Sequence, residues 1–496
     1  MKIIPTGSAM GYIEHPAQKG NPVTVIGTEK ICRTFDEKCI EQALNCQAAP
    51  GVSDVVLNPD AHCGYGAPVG CVLVSPTHIY PGPVGVDIKC SMSLLQLDLP
   101  EDAIRSALIR REIIHAILER TPTGAGKGQR SVKKSRPVNK TLGIKVVTQG
   151  ASREVCEALG IPSQWAERCE DAYHLAHDHS RDTLIGRLDY LTASGQFLKF
   201  EEKIQQLGSY GSGNHFGECE IVRVADNQKA RDTAEVFGLK NHHVAFLSHC
   251  GSRGFGFHLA KNQFQYLQGL FQKRKTPFPA GDKELVYAPI DSAEGKAYLD
   301  DMAIAGNFAT VNHLLINALV LEAFQQVIPG VKGRLVYFIS HNIARKEPIG
   351  QREYYVHRKG ATRAFPAGHP GLANTPFAKT GHPILLPGNP RNGSAVMVAE
   401  AGAAKSCFSV NHGAGRIMGR RRAIRELNQQ TVNDSFKDHD ILTNCRNYPK
   451  DEAPDAYKDF EEVLRSVENA GLAKSVARLE AKFVIKDQDI AYGGAA

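Results

Sequence analysis

Apolar and polar positions alternate along this chain in two distinct rhythms. Near the start, Ile40, Ala43 and Leu44 are spaced as one face of an amphipathic helix. Thr34-x-x-Glu37 precedes them as a capping box, so a helix is predicted to open there. Cys32, Cys39 and Cys46 recur every seven residues and fall on one face of that helix as small buried side chains. After Gly51 the text changes to strands punctuated by glycine and proline, VVLNPDAHCGYGAPVGCVLVS and then IYPGPVGVDIKCSMSLLQLDL. A long apolar helix is predicted over 303–327. The spacing of Phe460, Val463, Leu464 and Val467 predicts another helix, followed by the short strand KFVIK. Strand-and-turn text mixed with separate helices predicts an α+β fold rather than regular βαβ winding.

Between these elements lie two polar stretches. Residues 124–140, GAGKGQRSVKKSRPVNK, form a basic loop broken by proline, whose charges are ordinarily solvated. Its GAGKG is not a phosphate-binding P-loop, because the pattern needs glycine where Thr121 stands and Ser or Thr where Gly128 stands. Residues 432–456, with Pro449 and Pro454, are predicted to be a surface connection, and the final AYGGAA a frayed tail over 488–496.

Composition changes little in this picture. The 496 residues are 42% hydrophobic and 22% charged, an ordinary globular balance, and the net charge of +7 permits a polyanionic partner without requiring one. No run of about 18 apolar residues suggests a membrane span, and the first twenty residues lack the apolar core of a signal peptide. A cytoplasmic protein is expected. The twelve cysteines show no paired Cys-x-x-Cys arrangement and are expected to be mostly free thiols.

Four histidines stand where an apolar run gives way to small or polar residues: His215 in SGNHFGE, His249 in SHCGSRG, His341 in ISHNIAR and His412 in VNHGAGR. A strand end followed by glycine can aim a side chain into a cleft while a ligand approaches the backbone. Asp87-x-x-Cys90 sits in a similar setting, with a carboxylate oxygen and a thiolate able to share one ion. These ligand types alone suggest zinc. In His412-Gly413-Ala414-Gly415, backbone N–H groups can approach phosphate oxygens, and Arg416 adds positive charge. A neutral imidazole there can attack phosphorus, although a glycine turn after a structural histidine is the better reading of this motif alone. Arg420, Arg421, Arg422 and Arg425 form a basic helix face.

GVDIKC, GSGNHFGE, SHCGSRG, SHNIARKE, VHRKGATRAFPAG, LLPGNPRNGS and NHGAGR occur in the order and approximate spacing of the RtcB RNA ligases, and YKDFEEVLRSVENAGLAKSVARLEAKFVIK is similar to that family's ending. The resemblance implies one large intertwined α+β catalytic domain over residues 1–487. It also implies an enzyme that joins RNA bearing a 3′-phosphate or 2′,3′-cyclic phosphate to RNA bearing a 5′-hydroxyl, using GTP and two Mn²⁺. Asp87, Cys90 and His215 would hold one ion and Cys90, His249 and His341 the other, with His412 carrying GMP. The guanylate would meet Asn214, Phe216, Glu218, Asn342, Pro387, Gly388, Asn389, Pro390, Ser394, Gly413, Ala414, Gly415, Tyr457 and Lys486. Arg253, Arg358, Lys359, Arg363 and Arg416 would meet triphosphate or RNA phosphates. Many members work with a small activating protein, archease.

The chain departs from the family pattern in a few places. Pro387-Gly-Asn-Pro-Arg-Asn-Gly-Ser394 stands where members usually have Pro-Gly-Ser-Met-Gly-Thr-Ala-Ser, and Lys89 and Ser91 replace Asn and Gly beside Cys90. Gly217 stands for a larger apolar residue. No expected metal ligand or nucleophile is missing. The absence of any Asp-Gly dipeptide removes a lysine-adenylate ligase. Two alternatives to a sealing ligase are a related guanylyl transferase that caps 3′-phosphates and a non-enzymatic RNA-binding module.

Overall fold

Two large sheets, each covered by helices, carry the architecture of a computed structural model that describes residues 2–14, 21–197 and 199–487. The expected α+β class is what the chain forms; the expected frayed tail lies outside the described residues. In the first sheet the strand order is Ile3–Gly7, Met10–Ile13, Val23–Ile26, Asp54–His62, Val69–Ser75, Arg352–Lys359, Asn342–Ile349. In the second it is Gly333–Ser340, Ser91–Pro100, His243–Cys250, Phe216–Val224, Ala473–Ile485, Gly393–Ala399, Pro383–Asn389, with Leu442–Thr443 added in parallel on Ala473–Ile485. Ala361–Arg363 pairs with Ser409–Asn411 as a separate ribbon.

The predicted helix over 303–327 is the larger, C-terminal part of a 35-residue helix, Ala293–Val327, buried continuously from Tyr298 to Val320. It has the length and hydropathy of a membrane span, but 94% of its most apolar window is buried inside the protein. Its polar residues hold the connections around it. Asn312 accepts from Gly208 N–H at 2.7 Å and donates to the carbonyl of Gly251 at 3.1 Å, while Asn307 accepts from His174 N–H at 2.7 Å. Buried amides matched to backbone in this way cost little and fix the loops they touch.

Three sequence expectations change. The first long helix, Glu37–Gln47, is capped by Asp36, whose carboxylate accepts from Cys39 N–H, whereas the Thr34 hydroxyl donates backward to Ile31 O. Aspartate one residue before the helix outcompetes the predicted capping box. Cys32 therefore lies on a separate short helix, Glu29–Cys32, and only Cys39 and Cys46 share the predicted face. Residues 432–456 are not a surface connection: Val432, Phe436, Tyr448, Asp451 and Glu452 are buried. All twelve cysteines are free.

Candidate active site and metal centre

The second sheet concentrates chemistry at one edge. Its strands Gly333–Ser340, Ser91–Pro100, His243–Cys250 and Phe216–Val224 are successive antiparallel neighbours, with Ser340 opposite Ser91, Met92 opposite His249, and His249 opposite Phe216. His341 leaves the first strand, Cys90 enters the second, His249 ends the third and His215 enters the fourth. The antiparallel register thus brings four ligands together from positions 90 to 341. Cys90 Sγ lies 3.1 Å from His249 Nε2 and 3.5 Å from His215 Nε2. His215 Nε2 is 2.9 Å from Asp87 Oδ2, and His249 Nε2 is 3.3 Å from His341 Nε2. Two groups, Asp87–Cys90–His215 and Cys90–His249–His341, each have their ligand atoms within 4.8 Å of one another and share the Cys90 sulfur.

The surroundings suit these groups to cations. His215 Nδ1 donates to Tyr210 O at 2.8 Å and His249 Nδ1 to Asn214 O at 3.1 Å, which leaves each Nε2 lone pair facing the cluster. Burial, reinforced by neighbouring histidines, pushes His249 and His341 well below the usual range, so both are neutral imidazoles. Burial and the Asp87 carboxylate push the Cys90 thiol well up. A bound divalent ion reverses that, because it displaces the thiol proton. Burial opposes ionisation of Asp87, but its polar neighbours, His215, Cys90 and Arg253, hold its carboxyl low. Gly251 allows the approach: a Cβ there would meet the Asp87 carboxylate.

Next to this cluster is a cavity of about 300 Å³. His412, following the strand Ser409–Asn411, lines it with its ring 4.5 Å from that of His341. His412 Nδ1 is 2.7 Å from Asp60 Oδ2 and 2.8 Å from Gly360 O. Both partners are acceptors, so the proton sits on Nδ1 and the lone pair on Nε2. Asp60 is fully buried on the strand Asp54–His62. Sequence reading missed it, although Asp60-Ala-His-Cys-Gly is another strand end before glycine, the signal used for the histidines. Gly415, at φ 74°, is also required here, because a Cβ would strike the Asp60 backbone.

The cavity wall gathers Asn214, Phe216, Glu218, Pro387, Gly388, Asn389, Pro390, Ser394, Gly413, Ala414, Gly415, Arg416, Tyr457 and Lys486, together with His62, Arg420, Tyr448 and Glu452, which sequence reading had not assigned. Glu452 Oε2 accepts from Lys486 Nζ at 2.9 Å and from the Tyr457 hydroxyl at 2.8 Å. Burial opposes its ionisation, yet Lys486, Arg420 and Arg416 hold its carboxyl at about 2. Glu218 behaves oppositely: burial raises its carboxyl to about 7 against a hydrogen bond with Glu220 and the charge of Lys486. Its Oε1 is buried without a hydrogen-bond partner. Such an orphaned acceptor in a cavity is suited to a ligand donor.

Five expected contacts are not at the cavity. Asn342 spends its amide on Asp87 O at 3.2 Å and Gly360 N at 3.0 Å, stapling the loop that carries Asp87. Arg358 is 1% exposed and forms a two-pronged pair with Glu347 at 2.7 and 2.8 Å. Arg363 pairs with Glu170 and Asp171, Lys359 donates to the carbonyls of Tyr65 and Ala67, and Arg253 bonds to Ser209 Oγ and Gly124 O. These four cations are engaged by protein partners and stand outside the cavity wall, where the expectation had put them against phosphates. Asn389 does line the cavity, but its amide is occupied by Asn392 within the hairpin turn.

The family model described as tRNA-splicing ligase RtcB matches residues 42–487. The chain belongs to the RtcB family. Curated relatives with that same description include those of Thermococcus kodakarensis, 32% identical over 91% of each chain, and Nanoarchaeum equitans, 33% identical over 94% of this chain and 95% of its own. The relative from Archaeoglobus fulgidus is 32% identical over 92% and 93%.

Proposed function

We propose that this chain is an RNA ligase that joins a 3′-phosphate or 2′,3′-cyclic phosphate end to a 5′-hydroxyl end, with GTP as energy source and His412 as carrier of GMP. The observation that carries the reading is the orientation of His412. Asp60 and Gly360 claim Nδ1, which leaves Nε2 as a nucleophile in a cavity that also holds a candidate metal ligand, His249, and the unsatisfied carboxyl of Glu218. Two Mn²⁺, held by Asp87, Cys90, His215, His249 and His341 with Cys90 shared, would neutralise charge developing on phosphoryl oxygens.

A cyclic phosphate is first opened by water to a 3′-phosphate. Nε2 of His412 then attacks the α-phosphorus of GTP, forming a P–N bond as the bond to pyrophosphate breaks. Asp60 stabilises the positive charge that the ring acquires. The RNA 3′-phosphate takes GMP from His412, and the 5′-hydroxyl oxygen attacks the activated RNA phosphorus, expelling GMP. Arg416 and Arg420 lie on the cavity wall and favour the nucleotide and RNA phosphates.

Labelled GTP with Mn²⁺ tests the proposal. An acid-labile protein adduct, chased into joined product by RNA with 3′-phosphate and 5′-hydroxyl ends, is expected; no adduct in the presence of metal would sink it. The hairpin at 387–394 favours a second reading, a guanylyl transferase that stops at the capped end. Arg391 there pairs with Asp455 at 2.9 Å and ties the hairpin to the opposite wall segment. Accumulated RNA-ppG never converted to joined RNA would support that reading.

Two further outcomes are expected. Asp60→Asn can place an amide donor against Nδ1 and withdraws the charge behind the ring, so adduct formation should slow on the order of 10²–10⁴-fold in single-turnover assays. An unchanged rate would remove Asp60 from the mechanism. Guanine offers N1–H and amino donors as a pair, which the ionised form of Glu218 accepts with both oxygens, whereas the protonated form sets an O–H donor against one of them. With that carboxyl at about 7 in the free protein, GMP affinity should fall about tenfold per pH unit below neutrality and level off above it. Calorimetric titration at a series of pH values measures this. Glu218→Gln should flatten the profile, and a flat profile in the wild type would contradict the guanine contact.

A further inference from the structure

Two of the strand ends that carry candidate metal ligands are tied from behind to a single dipeptide, Glu170–Asp171. On the His341 side, the Glu170 carboxylate accepts from Ser340 N at 2.8 Å and from the Ser340 hydroxyl, while Glu170 N donates to Phe338 O at 2.8 Å. On the Cys90 side, the Asp171 carbonyl accepts from Lys89 Nζ at 2.8 Å. Lys89 is fully buried and also reaches Thr310 Oγ1, at 2.6 Å, on the long helix. Arg363 joins the two halves, with Nε on Glu170 at 2.8 Å and Nη2 on Asp171 at 2.6 Å. None of these residues lines the cavity, so none is placed to touch a nucleotide.

Two backbone features show that this arrangement is imposed. Lys89 at φ 56° and Asp171 at φ 54° both lie in the left-handed region, which a lysine does not favour. The left-handed turn at Lys89 lets Asp87 and Cys90, on either side of it, face the same cluster. Its own N–H donates to Asn342 O at 2.7 Å, and His341 N donates to Cys90 O at 2.9 Å, so the two metal-bearing segments run side by side in front of the dipeptide. Burying this many charges is costly, and a one-sided break leaves an uncompensated ion.

We infer that Glu170–Asp171, with Lys89 and Arg363, is a positioning clamp that sets the spacing between the Cys90 sulfur and the His341 imidazole. The inference rests on the metal-centre reading above. A lysine spans the distance from the loop to Asp171 and Thr310, which asparagine is too short to do.

Co²⁺ titrated into the full-length protein tests the clamp, because the thiolate-to-cobalt absorption reports sulfur coordination independently of stability. Wild-type protein is expected to show that band. Lys89→Met and Glu170→Gln are each expected to weaken Co²⁺ binding at least tenfold and to lower the band per bound ion. If Lys89→Met does not fold, Thr310→Val removes one of its anchors and should give a smaller change in the same direction. Retention of affinity within twofold and of the full band in the folded variants, with only a lower Tm, would overturn the clamp while leaving the metal centre standing. No band in the wild type would instead remove the metal centre, and the clamp with it.

Discussion

Alanine at position 412 is expected to eliminate the labelled guanylate adduct while leaving a folded protein that still binds metal. His412 contributes the only imidazole in the cavity whose Nδ1 is held by two acceptors, Asp60 and Gly360, and Nε2 has no protein partner among the described residues. His249 and His341 cannot replace it, because they point their Nε2 atoms at each other, 3.3 Å apart, within the candidate metal cluster. Loss of a covalent nucleophile typically lowers turnover on the order of 10⁶-fold, to whatever background the remaining site supports. The structural cost is modest: Asp60 loses one hydrogen bond but keeps the His412 backbone N–H at 3.3 Å, so about 1–3 kcal/mol is expected. Mass spectrometry of the protein after incubation with GTP checks this directly. An adduct persisting in His412→Ala would place the nucleophile elsewhere.

Cys90→Ala should be equally severe for a different reason. Its sulfur belongs to both candidate ligand groups, so one substitution removes a ligand from each. Metal content, measured after gel filtration, is expected to fall to near zero, and adduct formation with it. Replacing Asp87 or His341 touches one group only, and those variants should retain part of their metal. The Cys90 side chain is small and buried, so its truncation costs little stability, and a circular dichroism spectrum like that of the wild type is expected. Retained metal and retained guanylylation in Cys90→Ala would show that the thiolate does not bridge.

How far the sequence speaks for this structure differs from feature to feature. His215, His249, His341 and His412 were legible because each follows an apolar strand and precedes small residues, and the antiparallel register then collects the first three. Asp60 carried the same signal but was overlooked, because an aspartate within a strand-like run has many uses. The surroundings of Arg358, Arg363, Lys359 and Arg253 were not legible for a physical reason: charge is visible in a sequence, but the protein partner that engages it is not. Glu170 and Asp171 come from a segment distant from Arg363, and Glu347 meets Arg358 only when the strands Asn342–Ile349 and Arg352–Lys359 pair. The stretch 432–456 reads as polar surface for the same reason. Asp451 and Glu452 are buried because Arg416, Arg420 and Lys486 surround them.

The strand Ala473–Ile485 lies in the interior of the second sheet, between Phe216–Val224 and Gly393–Ala399, although it is the last strand among the described residues. Its two neighbours are made earlier during translation and must wait with open edges for the piece that separates them. A nascent chain that has not yet been synthesised as far as Ile485 cannot close the sheet, and Lys486, immediately beyond, cannot reach the cavity. Completion of the cavity is thereby deferred until residues 473–486 have been made. The waiting edges make prematurely stopped chains candidates for aggregation and for capture by chaperones rather than for partial activity.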